Sequence, residues 1–171
     1  TYTDSTIKIS GGDNWIASPW SNAQSADEEG LTAAVRAAYE EHLGLEAGTL
    51  SSLKISKHQI DQALVNLMGF QVSAIGNHEF DDSANGLAGA MIPTVDDSGD
   101  ASWANVVTMG SFFPYISTNL DFSGSPDLST AFSSEITDAS SFGLDAAGAS
   151  ADDLSSYLVG NGAKTMAPAT T

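Results

Sequence analysis

Residues 72–81 read VSAIGNHEFD, an apolar strand that stops at Gly76 and is followed at once by three polar side chains. These are the amide of Asn77, the imidazole of His78 and the carboxylate of Glu79. Ligands of open α/β sheets bind beyond the carboxyl ends of the strands, so groups delivered there are placed for chemistry. Because a metal-assisted hydrolase needs such groups in one place, the stretch indicates an enzyme of that kind.

A second strand and loop of the same type lie near the start of the chain. Residues 5–10 alternate between polar residues and the apolar Ile7 and Ile9, which predicts a short strand. The strand breaks at a pair of glycines, and Asp13 follows them. If the two strands are neighbours in one sheet, Asp13 and Asn77 meet in the same crevice. A carboxylate can bridge two divalent cations, and an amide oxygen can complete a cation's shell without adding charge. The pair therefore predicts a metal site.

The segment between the two loops is predicted to contain two helices. The first covers residues 27–43, because three acidic residues begin it at the positive end of the helix dipole. The second opens at Ser56, which forms a capping-box pattern with Gln59, and stops at Gly69. Apolar periodicity predicts the inward faces to be Leu31, Ala34, Val35 and Ala38 in the first helix and Ile60, Leu64, Leu67 and Met68 in the second.

Residues 70–75 are predicted to form a buried strand and residues 83–92 a short helix closed by Pro93. The resulting order of strand, helix, helix and strand is typical of a parallel crossover unit. The sequence therefore predicts an α/β fold whose ligands gather at the carboxyl ends of the strands.

The second half of the chain is less regular. Residues 112–119 are predicted to form another strand, and residues 124–171 a long excursion rich in Ser, Ala, Asp and Gly, with a short helix around residues 151–158. We find no internal repeat and no linker that would divide the chain. Residues 1–171 are therefore interpreted as a single domain.

The charge balance is unusual for a chain of this composition. There are 22 Asp and Glu residues against 5 Lys and Arg, which gives a formal net charge of -17. Such a surface repels phosphate backbones and anionic headgroups, so a nucleic-acid polymer is not expected as a partner, and no apolar run is long enough to span a membrane. Acidic surfaces favour solubility in salt, which indicates an extracellular or periplasmic protein. The absence of cysteine excludes thiolate metal sites.

The two loops resemble signature blocks of a known enzyme family. Together they are similar to the second and third motif blocks of the calcineurin-like metallophosphoesterases, in particular the secreted 5'-nucleotidase-like branch. The resemblance covers residues 5–123. Its segments are SGGDN at residues 10–14, extended to Trp20, ALVNLMGF at residues 63–70, GNHEFD at residues 76–81 and PYISTNLDF at residues 114–122.

The resemblance implies a fold, an activity and a role for each matching residue. The fold would be part of a layered sandwich, a sheet flanked by helices. The activity would be hydrolysis of nucleotides or other phosphate monoesters by a hydroxide bound to two divalent metal ions, which could be Zn, Mn, Fe, Ca or Mg. Asp13 would bridge the metals, Asn77 would bind one of them, and His78 would act at the leaving group. Independently of the resemblance, Glu79 is expected to hold the ring of its neighbour His78 in place.

Other parts of the family pattern do not occur in these 171 residues. The first block, an aspartate and a histidine on an initial strand, is expected upstream, and the later histidine blocks that complete both metal shells are expected downstream. We therefore expect that the chain is an internal segment of a larger polypeptide and inactive by itself. The missing ligands would come from the remainder of that polypeptide or from a complementary chain.

Several polar and aromatic residues outside the two loops have simpler interpretations. His42, near the end of the first helix, and His58, in the first turn of the second, are expected to be surface residues. Trp15, Trp20 and Trp103 could stack on a nucleobase or a sugar but are expected to fill the core or to cover a loop. Residues 96–100 could bind calcium but lack the pattern of an EF-hand, so a solvated turn is favoured.

Two classes of function remain open from the sequence. One is a segment of a secreted two-metal phosphoesterase. The other is a non-catalytic structural or interaction module of an extracellular assembly that reuses the phosphatase scaffold, because a fold alone does not guarantee an activity.

Overall fold

A computed structural model describes residues 6–16, 19, 30–56, 58–98, 102–117 and 119–131 of the chain. Predictions that fall elsewhere, namely the acidic start of the first helix, the position of Trp20 and the helix around residues 151–158, lie outside the described residues. Within the described part the chain is an α/β protein in which a small parallel sheet is combined with helices.

The regular elements of the described part are short strands and helices of moderate length. The strands are β1 Ile9–Ser10, β2 Val72–Ala74, β3 Thr94–Val95, β4 Val106–Thr108 and β5 Tyr115–Ile116. The helices are α1 Gly30–Leu43, α2 Gln59–Leu67, α3 Ser83–Met91 and α4 Pro126–Ala131, with 3-10 turns at His78–Phe80 and Trp103–Asn105.

The main sheet has the order β1-β2-β5, and both strand pairs are parallel. Ile9 pairs with Val72, and Ser73 pairs on its other side with Tyr115. The predicted crossover is therefore confirmed, because β1 and β2 are parallel neighbours connected through α1 and α2. β3 and β4 form a separate antiparallel pair. The carboxyl ends of β1 and β2 consequently lie at one edge of the sheet.

The predicted inward faces of α1 and α2 are partly wrong. In α1 the buried residues include Val35 and Tyr39, whereas Ala34 is exposed. In α2 the departure is larger, because Leu64 is 48% exposed and Met68 51% exposed. The face that α2 buries consists of Ile60, Gln62, Ala63, Val65 and Asn66. The predicted face was chosen from apolar residues alone. It was wrong because the helix buries the polar amide side chains of Gln62 and Asn66, so a different face points inward.

The start of α2 also differs from the prediction. The helix begins at Gln59 rather than at Ser56, because His58 occupies the N-cap with a φ of 66°. Half of the predicted capping box does form, since the side-chain oxygen of Gln59 accepts a hydrogen bond of 2.9 Å from the N–H of Ser56. The predicted stop at Gly69, which has a φ of 71°, is confirmed.

A polar network around Asn66 connects α2 to the rest of the core. The amide nitrogen of Asn66 donates to the hydroxyl of Tyr39 at 2.9 Å and to the carbonyl of Gly110 at 2.8 Å. Its oxygen accepts from the side chain of Gln62 at 2.9 Å and from the N–H of Phe112 at 3.0 Å. All four hydrogen-bonding positions of this buried amide are satisfied, so the network can be buried without an unpaired polar atom.

The apolar core of the described residues consists of two clusters, and Tyr39 and Phe112 of the first also belong to this network. The first packs α1 and α2 against the segment around Trp103 and Phe112. The second packs Trp15 with α3 and with Tyr115 of β5. Trp15 and Trp103 are 1% and 6% exposed, so the prediction that they fill the core is confirmed. Leu128 of α4 joins the second cluster, so this part of the predicted irregular excursion is a packed helix.

None of the helices in the described ranges combines the length and the apolar character that crossing a bilayer requires. This finding agrees with the hydropathy of the sequence.

Replacing Asn66 by aspartate should lower the free energy of unfolding by about 2 to 4 kcal/mol. The substitution keeps the shape of the side chain but places an oxygen against the carbonyl of Gly110 and buries a charge. Urea denaturation followed by circular dichroism measures the change. The exposed residue Asn119 provides the matched control, and Asn119→Asp should stay within about 0.5 kcal/mol. An Asn66 variant as stable as this control would contradict the structural role of the network.

Candidate functional site

The loops that follow β1 and β2 meet at the edge of the sheet. Gly76, two residues beyond the end of β2, lies so close to Asp13 that a Cβ on it would come within 2.7 Å of the Asp13 backbone nitrogen. The carboxylate of Asp13 accepts a hydrogen bond of 3.0 Å from the N–H of His78. The sequence prediction that these two loops converge is therefore confirmed by a direct contact between them.

Glu79 joins the two loops through its carboxylate. The side chain is buried, with 1% of the residue exposed. One oxygen accepts hydrogen bonds from the N–H groups of Asp13 at 2.9 Å and Gly76 at 2.7 Å, and the other accepts from the N–H of Asn14 at 2.7 Å. We call this arrangement the Glu79 junction. Since a carboxylate is an acceptor only, three backbone donors can satisfy it without a partner cation.

The expectation that Glu79 holds the ring of His78 is wrong. The ring nitrogen Nδ1 of His78 lies 2.9 Å from a carboxylate oxygen of Asp81, three residues further along the chain. Sequence reasoning assigned the wrong acid because His78 and Glu79 are adjacent. Residues three apart in a 3-10 turn lie on the same side, whereas adjacent residues do not.

Gly12 and Gly76 allow the two loops to approach this closely. Gly12 has a φ of 93°, and a Cβ on it would lie 2.6 Å from the backbone nitrogen of Gly76. The next residue, Asp13, has a φ of 55°, a left-handed conformation that aspartate tolerates better than most residues. Gly12 is thus needed for the backbone contact, whereas a Cβ on Gly11 would meet no atom within 4 Å.

Asn14 makes a further connection that sequence reasoning missed. Its side-chain oxygen accepts a hydrogen bond of 2.6 Å from the hydroxyl of Ser10, and its nitrogen donates to the hydroxyl of Ser73 at 2.9 Å. Ser10 and Ser73 are paired residues of β1 and β2. Asn14 therefore ties the ends of both strands to the loop that carries Asp13. The only signal in the sequence was the position of the residue directly after Asp13.

Asn77 lies at the start of the 3-10 turn and is exposed. Its carbonyl accepts the N–H of Phe80 at 3.2 Å, and its side chain makes no capping hydrogen bond in that turn. The residue is adjacent to His78, whose N–H binds Asp13. The structure therefore brings the backbone segments of Asp13 and Asn77 together at the surface.

The side-chain oxygen atoms of Asp13 and Asn77 are suited to form part of a cation site. Asp13 offers a carboxylate, which has about four lone-pair positions, and the N–H of His78 uses one of them. Asn77 offers an uncharged oxygen donor of the kind that hard cations accept. Across the described residues, however, no three His, Asp or Glu side chains are grouped so as to hold a metal ion. Two donors alone would leave most of a coordination shell to water, to a ligand or to other residues.

Electrostatics at His78 favour the protonated ring. The hydrogen bond to Asp81 raises the pKa of His78 above its ordinary value of 6.5, and the negative charges of Asp81, Asp13 and Glu79 act in the same direction. Desolvation opposes them but does not reverse the direction. A raised pKa in the folded state stabilises the fold below the unfolded pKa, and this contribution disappears as the pH rises through the folded pKa.

An NMR titration of the imidazole protons should therefore give His78 a pKa above 6.5. In Asp81→Asn the pKa should fall towards the ordinary value, because the variant lacks the charge that holds the proton. Asp97→Asn removes an exposed aspartate elsewhere and should leave the His78 titration unchanged. A pKa of His78 that is equal in the wild type and in Asp81→Asn would rule out this pairing.

The other two histidines differ from expectation to different degrees. His58 was expected at the surface, but it is 2% exposed and its Nε2 lies 2.6 Å from a carboxylate oxygen of Asp82. The prediction was wrong because Asp82 and Trp15 are distant in sequence and only the fold brings them to His58. His42 is half-buried, with its ring stacked 6.3 Å from that of Phe112.

The described part of the acidic segment, Asp96 to Ser98, is a turn, as predicted. The carboxylate of Asp96 accepts a hydrogen bond of 3.0 Å from the N–H of Ser98, and Asp97 and Ser98 are exposed. Residues 99–100 lie outside the described residues.

The fold and the site thus define an α/β protein with a polar junction at the carboxyl ends of two parallel strands. Comparisons with protein-family models, with curated proteins and with solved structures found no match to this chain.

Proposed function

We propose that this chain is the part of a two-metal phosphoesterase that carries Asp13, Asn77 and His78, acting on nucleotides or other phosphate monoesters outside the cytoplasm. The observation that carries the proposal is the contact between the two strand-end loops, where the N–H of His78 donates to the carboxylate of Asp13. We further propose that the fold is the layered sandwich of the metallophosphoesterases, and the parallel sheet with the order β1-β2-β5 supports this.

Asp13 and Asn77 are the residues that would hold the cations. Both are exposed at the same edge of the sheet, and both are oxygen donors. When bound, two divalent cations would lower the pKa of a water molecule and offset the charge of the phosphoryl oxygens. The net charge of -17 would otherwise repel a phosphate ester, so recognition of the substrate would depend on the cations.

The protein's own groups would perform the remaining tasks. The Glu79 junction would keep the two loops at a fixed separation, because its hydrogen bonds from Asp13 and Asn14 cross between the loops, while the one from Gly76 fixes the carboxylate within its own loop. The imidazole of His78, oriented by Asp81, would donate a proton to the leaving oxygen of the ester. The other metal ligands would come from the remainder of the polypeptide or from a complementary chain.

In the native polypeptide, His78→Ala should slow hydrolysis of p-nitrophenyl phosphate by roughly 100-fold, the usual cost of losing a general acid. Binding of Mn²⁺, measured by calorimetry, should be unchanged, because His78 is not assigned as a ligand. His42→Gln, which replaces a histidine far along the chain from the junction, should retain the wild-type rate. Absence of hydrolysis in the wild-type polypeptide, or a wild-type rate in His78→Ala, would overturn the proposal.

A non-catalytic scaffold is the second candidate, and one observation favours it. The Glu79 junction satisfies its own carboxylate with backbone donors. The loops could therefore keep this shape without any cation. Mn²⁺ binding separates the two candidates, since a scaffold of this kind predicts no specific binding at Asp13.

A further inference from the structure

A second set of contacts braces the loop that carries Asp13, and it does not involve Glu79. The ring of His58 stacks on the indole of Trp15, with centroids 5.7 Å apart and planes 17° from parallel. Nε2 of the same ring lies 2.6 Å from a carboxylate oxygen of Asp82. Trp15 follows Asp13 by two residues, and Asp82 directly follows the His78–Asp81 segment. These contacts therefore connect the start of α2 to both loops of the site.

Trp15 is held by packing, which includes two ring contacts. The residue is 1% exposed, and its indole N–H has no hydrogen-bond partner among the described residues. Besides His58, the ring of Tyr115 packs against it with centroids 6.2 Å apart. Since the indole lacks a directional hydrogen bond, its orientation depends on packing, to which these two rings contribute, and movement of His58 would change it.

Backbone strain is concentrated at the same place. In the described part of the chain, three residues other than glycine have a positive φ, namely Asp13 at 55°, His58 at 66° and Ser83 at 73°. Asp13 is the proposed metal ligand, His58 contacts Trp15, and Ser83 follows Asp82. Residues in such conformations persist only where surrounding contacts determine them, and they cluster at functional sites.

We propose that His58 is a positioning residue for Asp13. Its contact with Asp82 fixes the imidazole, the imidazole fixes Trp15, and Trp15 fixes the backbone from which the Asp13 carboxylate extends. We call the contacts of His58 with Trp15 and Asp82 the His58 brace. The Glu79 junction sets the distance between the two loops, and the His58 brace sets the orientation of the first loop, which follows β1 and carries Asp13. The expected effect of His58 on cation binding rests on the proposed function, whereas its effect on the position of the loop that carries Asp13 does not.

Amide hydrogen exchange tests the brace without any cation. In His58→Ala, the amides of Asp13, Asn14 and His78 should exchange roughly tenfold faster or more, because their hydrogen bonds all depend on the position of the first loop. The amides of Gly76 and Ser73 are internal controls. Gly76 is bound by Glu79 within its own loop, and Ser73 is bound to the carbonyl of Pro114 in the sheet.

A pair of aspartate variants keeps the test informative if His58→Ala folds poorly. Asp82→Ala removes the carboxylate 2.6 Å from His58 and should accelerate the same three amides. Asp61→Ala removes the carboxylate that lies 3.8 Å from the other ring nitrogen and should have a much smaller effect. Unchanged exchange in both Asp82→Ala and His58→Ala would overturn the proposal, and so would a common acceleration of all amides including Ser73.

Mn²⁺ affinity provides the readout for the site itself. With His58 as a positioning residue, His58→Ala should weaken Mn²⁺ binding by roughly tenfold at a temperature where circular dichroism shows the variant fully folded. Unchanged affinity in a folded variant would show a purely structural role. If the wild type does not bind Mn²⁺, the proposed function fails, and amide exchange alone decides whether the brace exists.

Discussion

Replacing Glu79 by alanine should lower the free energy of unfolding by about 3 to 5 kcal/mol, the largest effect on stability that we expect in this chain. The substitution removes a buried carboxylate and leaves the N–H groups of Asp13, Asn14 and Gly76 without their acceptor. A hydrogen bond to a charged group contributes about 1.5 to 3 kcal/mol, and the three contributions overlap because they share one side chain.

Urea denaturation measures this loss, and two further variants define its origin. Glu79→Gln keeps one acceptor oxygen but turns an amide donor towards one of the N–H groups, so its cost should be intermediate. Glu41→Ala removes an exposed glutamate of α1 and should stay within about 0.5 kcal/mol of the wild type. A Glu79→Ala protein as stable as Glu41→Ala would show that the junction does not hold the loops together.

Replacing Asp13 by asparagine should weaken Mn²⁺ binding by roughly 100-fold or more, which corresponds to about 2.7 kcal/mol. The variant removes the negative charge but keeps an oxygen that can accept the N–H of His78, so the contact between the loops should survive. In the native polypeptide, phosphatase activity should fall to the background level together with metal binding. Asn77→Ala should act in the same direction, because it removes the second donor.

Asp96→Asn is the matched control for Asp13→Asn. The carboxylate of Asp96 also accepts a backbone N–H, from Ser98 at 3.0 Å, but it lies in the acidic turn. The control should retain both Mn²⁺ affinity and activity. Equal losses in the two variants would mean that Mn²⁺ responds to the overall negative charge of the protein and not to a site at Asp13.

The sequence predicted the parts of the site that depend on local patterns. A strand that ends at glycine and continues into polar residues is visible at Gly76, and the crossover order placed β1 beside β2. Because parallel neighbours present their carboxyl ends at one edge, the meeting of Asp13 with the His78 segment followed from topology alone.

The sequence could not predict contacts that only long-range packing creates. Glu79 looked like a support for the adjacent His78, yet its partners include Asp13 and Asn14, 66 and 65 positions away. His58 looked like a surface residue because Trp15 and Asp82 reach it only in the folded chain. The burial of Asn66 could not be predicted either, because Tyr39, Gly110 and Phe112, which supply three of its four hydrogen bonds, are distant in sequence.

Paramagnetic broadening by substoichiometric Mn²⁺ tests the central claim most directly, because it locates a bound cation residue by residue. In ¹⁵N-correlated spectra of the chain, the amides of Asp13, Asn14, Asn77 and His78 should broaden first, and those of the acidic turn at Asp96 to Ser98 should persist. Broadening that begins at the acidic turn, or that affects all acidic surfaces equally, would contradict a cation site between the two strand-end loops.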